Sequence, residues 1–273
     1  MGSISYTIRI AMLNADTPVP NVSARSKTYG TIFHKLLSDA ASRISPHVKV
    51  ESTDYDVVRG EYPESASDFD AILVTGSASS AYYDETWIHK LQEYLGMIYD
   101  TCPRLKIFGS CFGHQIICQS LLGEFGCKVE KNPKGWELGV HGIRLTDEFR
   151  TAFPSAGKAS ALTSSPDQLL ISAPEIMRLQ FVHADHVAVS AEGLPKSWIS
   201  VGETKQCGVQ GVFEPSRVLT FQGHFEFDRF VNGETVKVFG AKWEPKEFQK
   251  AMDAIDADDD AQAAAEIVLR FLL

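Results

Sequence analysis

The run FDAILVTG, from Phe69 to Gly76, holds the unbroken apolar stretch Ala71 to Val74 with no polar alternation and ends on a glycine. A strand with one face in water alternates apolar and polar side chains; a run like this one needs cover on both faces. That requirement selects a sheet sandwiched between helices, and the flanking sequence supplies both parts. YTIRIAML (Tyr6 to Leu13), VKVEST and LKIFG read as further strands. Between them, Ile32, Phe33, Leu36, Leu37 and Ala40 recur at helical spacing within residues 26–44. Trp87, Ile88, Leu91, Leu95 and Ile98 do the same within residues 84–99, with Asp84 as the expected N-cap. A third helix is expected from Gly113 to Leu122, stopped by Gly123. Strands alternating with helices predict an α/β fold with a mixed, mainly parallel central sheet and helices on both faces.

From Trp136 to Phe227 the pattern changes to short β-like runs, GVHGIRLT, MRLQFVHA, SWISVGE, CGVQGVF and VLTFQGHF, which read as later strands with hairpin excursions. A segment rich in Ser, Ala and Pro around residues 149–175 is expected to be a lid over the site. A helix begins near Pro245, is interrupted at DADDDA and resumes as AQAAAEIVLRFL; the aspartates read as its solvated N-terminal turn and not as a metal site. No repeat or linker divides the chain, so one domain is expected over residues 1–273, with a C-terminal helical extension over about 245–273.

Composition removes several function classes. A net charge of −9 argues against a sequence-independent grip on nucleic acid or an anionic membrane. No stretch reaches the roughly 20 apolar residues that span a bilayer. The start MGSISYTIRIAML has neither a basic leader nor the myristoylation pattern, because Tyr6 stands where Ser or Thr is required. Five cysteines, odd in number and without a C-x-x-C pair, fit a reducing, cytoplasmic setting better than a disulfide framework or a zinc site.

One of those cysteines is placed for chemistry. GSCFG follows LKIF as G-x-nucleophile-x-G at a strand-to-helix junction, the form of a nucleophile elbow. The turn sets Cys111 at the carboxyl edge of the sheet and at a helix N-terminus, which favours a thiolate, and aims the Phe112 N–H at a developing oxyanion. A nucleophile needs a base and the base an orienter. Of the eight histidines, His224 in FQGHFEF is the candidate: residues two apart in an extended segment share a face, so Glu226 can accept from its second ring nitrogen. His114 follows the elbow but is expected to point away from Cys111, and His34, His47 and His89 read as surface or structural residues.

GSCFGHQ followed far downstream by GHFEF resembles the class I glutamine amidotransferase family, over most of the chain from Tyr6 to about Phe230. The resemblance implies a Cys111–His224–Glu226 triad, Gln115 as a holder of the glutamyl group, and Gly76 as the second oxyanion donor beside Phe112. FVHADHV resembles the family's S-H-x-D segment, and that resemblance implies His183 as a candidate substrate contact, although Val182 departs from the pattern by standing in place of the serine. GSASSAYYDETWI and NPKGWELGV look like the γ-glutamyl peptidase branch of stand-alone members. The implied activity is hydrolysis of a small-molecule γ-glutamyl amide through a thioester on Cys111, without metal or cofactor. Two alternatives stand beside it: a glutaminase subunit supplying ammonia to a separate synthase partner, and an inert binding or regulatory module on the same fold.

Overall fold

A computed structural model describes residues 6–152, 173–189 and 193–273. Most of the expected lid segment and the first residues of the chain therefore lie outside the described residues. The elements run β1 (Tyr6–Asn14), α1 (Pro20–Ser23), α2 (Tyr29–Ile44), β2 (Val48–Asp56), β3 (Ala71–Val74), α3 (Thr86–Thr101), β4 (Lys106–Ser110), α4 (Phe112–Leu122), β5 (Lys128–Lys131), β6 (Glu137–Leu145) and α5 (Asp147–Ala152). They continue with β7 (Ile176–His183), β8 (Asp185–Ala188), β9 (Ile199–Ser200), β10 (Gly202–Glu203), β11 (Val212–Glu214), β12 (Val218–Phe221), α6 (Arg229–Phe239), α7 (Pro245–Ile255) and α8 (Ala261–Leu272).

Seven strands form the main sheet in the order β2-β1-β3-β4-β12-β11-β9. The pairs from β2 to β12 are parallel, and β11 and β9 add antiparallel. The unalternated strands are covered on both faces, as their composition demands. Ile8, Ile10 and Met12 of β1, with Leu73 and Phe108, pack beneath α2 and α8; Ala11, Leu13, Ile72, Val74 and Ile107 pack beneath α3 and α4. Successive residues of one strand thus feed two separate cores. β10-β6-β7 form a second, antiparallel sheet, and β5-β8 a two-stranded ribbon, so only part of the β-rich second half joins the main sheet.

Three local expectations are corrected. Helix α3 starts at Thr86 with Glu85 at its N-cap and no side-chain cap; the Asp84 carboxylate lies 2.8 Å from His89 Nε2 instead. Helix α4 ends at Leu122 with Gly123 at its C-cap, as expected, but Gly123 keeps right-handed angles and the chain runs on through a 3-10 turn, so the left-handed conformation falls on Gly126 at φ 83°. The aspartates before α8 are more than a solvated turn. Asp260 receives Arg178 at 2.8 and 3.1 Å and Asp258 receives Arg229 at 2.6 Å, which ties the loop to β7 and α6. No group among the described residues has the make-up to hold a metal ion, and none of their helices is long and apolar enough to cross a membrane. Helix α8 is part of the main core and no appendage: Ala264, Ala265, Val268 and Leu269 are fully buried.

Candidate active site

Cys111 is the hinge between β4 and α4. Its φ of 52° and ψ of −107° make it one of two non-glycine residues with positive φ among the described residues. The strained turn therefore falls on the nucleophile candidate itself, and its glycine neighbours serve another purpose. A Cβ on Gly109 would lie 2.5 Å from the Gly113 carbonyl, and one on Gly113 would lie 2.2 Å from the Val74 oxygen. Both contacts are impossible for a real side chain, so these glycines let α4 lie directly against β3 and β4. The Cys111 N–H donates to Phe221 O at 2.9 Å, and its carbonyl accepts from Gln115 N–H at 3.0 Å, which fixes the turn at both ends.

The second chain segment arrives through sheet pairing. β12 runs parallel to β4 with Phe221 opposite Ser110, so the residues after each strand emerge side by side. The H-x-E pair follows the end of β12 in irregular backbone, not in the extended strand that its spacing suggested. An isolated bridge holds it: His224 N–H donates to Gln180 O at 2.8 Å, and Gln180 N–H donates back at 3.3 Å. His224 Nδ1 lies 2.7 Å from Glu226 Oε1, which also accepts from Ser110 Oγ at 2.9 Å. The Phe227 ring stacks on the imidazole with centroids 3.9 Å apart and planes 14° from parallel, and Tyr29 stacks on Phe227 in turn at 5.6 Å. One face and one edge of the ring are thereby held. Its other nitrogen, Nε2, is buried and has no hydrogen-bond partner among the described residues.

Cys111 and His224 converge beside Gly76. A Cβ built on Gly76 would lie 3.1 Å from His224 Cε1 and 3.6 Å from Cys111 Cβ, so any side chain there would enter the space between them. Burial works against a charged imidazole at position 224, yet Glu226 and then Cys111 more than offset it and push its pKa up to about 10. Because that value lies above the ordinary 6.5, the stabilisation from this charge is complete below about 6.5 and fades as pH rises toward 10. Glu226→Gln removes the largest upward influence and leaves the burial. The His224 pKa should then fall markedly, as read by ring-proton NMR titration; an unmoved midpoint would mean that Glu226 does not set the ring's charge.

Gly76 follows β3 and Phe112 opens α4, and the N–H groups of both lack an acceptor among the described residues. Trp87 lies against the Phe112 ring at 5.5 Å and pins the start of the helix. Gln115 is buried at the same end, its Nε2 donating to Asp185 O and Gln222 Oε1, each at 3.0 Å. His183 departs from expectation. Its Nδ1 is 2.8 Å from Asp185 O and its Nε2 is 2.9 Å from Glu137 Oε2, so neither ring nitrogen is left for a substrate.

The remaining candidates are quiet. His114 is fully buried with Nδ1 2.8 Å from Thr220 Oγ1, and burial pushes its pKa down to about 3. Burial raises Cys118, Cys127 and Cys207, the last to about 12, which keeps them as thiols. Ser110, Gln180, Phe227 and Glu137 were not singled out by the sequence reading, since each acts through a contact that only tertiary register creates.

The family described as "Glutamine amidotransferase class-I" matches residues 28–237. A glutamine amidotransferase-like protein of Schizosaccharomyces pombe is 30% identical over 270 residues, covering 97% of this chain and 98% of that protein. Gamma-glutamyl peptidase 2 of Arabidopsis thaliana is 26% identical over 228 residues, 80% of each chain. In fold, a glutamine amidotransferase crystal structure from Thermotoga maritima superposes with a TM-score of 0.63 at 14% identity, covering 97% of this chain and 96% of that one. With the profile over most of its length and a near full-length relative at that identity, the chain belongs to the class I glutamine amidotransferase family.

Proposed function

We propose that this protein is a cysteine-dependent hydrolase of γ-glutamyl amide bonds that turns over through a γ-glutamyl thioester on Cys111. The observation that carries the reading is the buried, unpartnered Nε2 of His224 beside Cys111, on a ring whose other nitrogen is held by Glu226. A buried polar atom without a partner costs free energy, and a catalytic role explains why it is kept.

The steps follow from these groups. The Cys111 sulfur attacks the γ-carbonyl carbon and forms a C–S bond, while the carbonyl oxygen becomes an oxyanion in reach of the Gly76 and Phe112 amides. One such donor is worth roughly 3–4 kcal/mol at the transition state. His224 gives its Nε2 proton to the leaving nitrogen as the C–N bond breaks, and the amine or ammonia departs. The neutral ring then takes a proton from water, whose oxygen attacks the thioester. The C–S bond breaks, releasing glutamate and restoring the sulfur–imidazolium pair. No step calls on a metal or a cofactor.

The names of the plant relatives support a leaving group larger than ammonia. A substrate panel tests this: glutamine, γ-glutamyl dipeptides and glutathione conjugates, with wild type and Cys111→Ala, reading both ammonia and freed amines. Amine release from the dipeptides by wild type alone is expected. Glutamine turnover that appears only when a second protein is added would replace this reading with a glutaminase serving a synthase. Turnover that survives Cys111→Ala would remove the thioester.

A further inference from the structure

Glu137 and His183 form a second histidine–carboxylate pair, without a part in the steps above. Their side chains are 1% and 3% exposed. Such a pair is costly to bury and is retained only where its surroundings satisfy it. Here they do. Glu137 Oε1 accepts from Thr204 Oγ1 at 2.6 Å, and Oε2 accepts from Gln210 Nε2 at 2.7 Å beside His183 Nε2 at 2.9 Å. These donors overcome burial and hold the Glu137 carboxyl below its ordinary range.

The far side of the imidazole can be assigned by elimination. Asp185 O is a carbonyl and can only accept, so His183 Nδ1 carries a hydrogen and donates it at 2.8 Å. The same carbonyl accepts from Gln115 Nε2 at 3.0 Å. The Asp185 carboxylate reaches the other way, accepting from Ser80 Oγ and, at 3.2 Å, from the Tyr82 hydroxyl. Ser80 and Tyr82 belong to the loop that starts at Gly76. One residue thus connects three things: the buried pair, the glutamine on α4 and the loop carrying one amide of the oxyanion site.

We propose that Glu137 and His183 are positioning residues, which through the backbone and side chain of Asp185 hold Gln115 and the Gly76 loop in the geometry that acyl transfer requires. The inference rests on the proposed γ-glutamyl hydrolysis for its kinetic effect, but its mechanical content stands apart from that activity. Misplacing an oxyanion donor by about 1 Å costs up to about a hundredfold in rate.

The test uses the full chain carrying Glu137→Gln, Tyr82→Phe or both, and reads kcat/KM on a γ-glutamyl dipeptide together with amide hydrogen exchange over residues 76–85. Glu137→Gln should lower kcat/KM about tenfold or more and quicken exchange in that loop. Tyr82→Phe should do the same to a smaller degree, and the double variant should lose no more than Glu137→Gln alone, because the two act along one path. Losses that multiply, or a slower enzyme with unchanged loop exchange, overturn the proposal. Should Glu137→Gln not fold, Tyr82→Phe and Asp185→Asn decide: the side chain of Tyr82 is 42% exposed, so its hydroxyl can be removed without disturbing a core. Unchanged loop exchange in both would then sink the idea. If wild type cleaves no γ-glutamyl compound, the proposed function falls, and the exchange measurements alone decide the relay.

Discussion

Cys111→Ala is expected to abolish γ-glutamyl turnover, by about four orders of magnitude or more, since removing a nucleophile leaves only the contribution of binding and the oxyanion donors. The more telling result comes from Cys111→Gly alongside it. At an ordinary buried position glycine is less stable than alanine by about 0.5–1 kcal/mol. At φ 52° and ψ −107° the order should reverse, because any side chain there carries strain of about 1–3 kcal/mol that glycine relieves. Thermal or denaturant unfolding of the two variants decides it. If the glycine form is the less stable, the turn is not strained, and the argument that the fold holds Cys111 in place at a cost is wrong.

Gly113→Ala should be among the most damaging single methyls in the described chain. Its Cβ would meet the Val74 oxygen at 2.2 Å and the Val74 carbonyl carbon at 2.9 Å, and these are strand backbone atoms that cannot rotate away. Helix α4 has to lift off β3, at a cost of about 3 kcal/mol or more. For a chain of this size that corresponds to a fall in Tm of roughly 6–12 °C. Lifting α4 also moves the Phe112 amide and Cys111, so kcat/KM should drop by up to about a hundredfold in the folded fraction. Gly96→Ala is the control: it lies inside α3 with nothing within 4 Å of the new Cβ, and should stabilise by about 0.5–1 kcal/mol. A Gly113→Ala protein that melts with wild type would refute the close-packing account of the elbow glycines.

The contrast between these two glycines marks what a sequence can and cannot tell. The elbow was legible as a pattern because glycine, cysteine and glycine follow an apolar strand, and H-x-E was legible through its spacing. The local geometry behind both was less legible. Glycines flanking a nucleophile suggest conformational freedom, whereas Gly109 and Gly113 provide space and the unusual dihedral belongs to Cys111. His224 and Glu226 meet in irregular backbone held by Gln180, a residue that carries no signal of its own. Helix α4 ends where expected, at Leu122, but the left-handed conformation falls on Gly126 after a further 3-10 turn. The sheet alternation, by contrast, could be read well, since burial on both faces writes itself into every residue of a strand. His183 illustrates the hardest case: its neighbours in sequence suggested a ligand, and its partner Glu137 lies on another strand, 46 positions away.

The pairing of β4 with β12 has a consequence for the chain as it is made. Ser110 and Glu226, which hydrogen-bond across the finished site, are 116 positions apart. A ribosome releases the thiol of Cys111 long before it releases the imidazole of His224. Until the later strand slots into the sheet, the sulfur has neither His224 beside it nor the Phe221 contact that fixes its turn. On the proposed mechanism, reactivity is thereby withheld from the unfinished polypeptide, and a nascent or misfolded copy carries an ordinary cysteine, harmless to the metabolites around it.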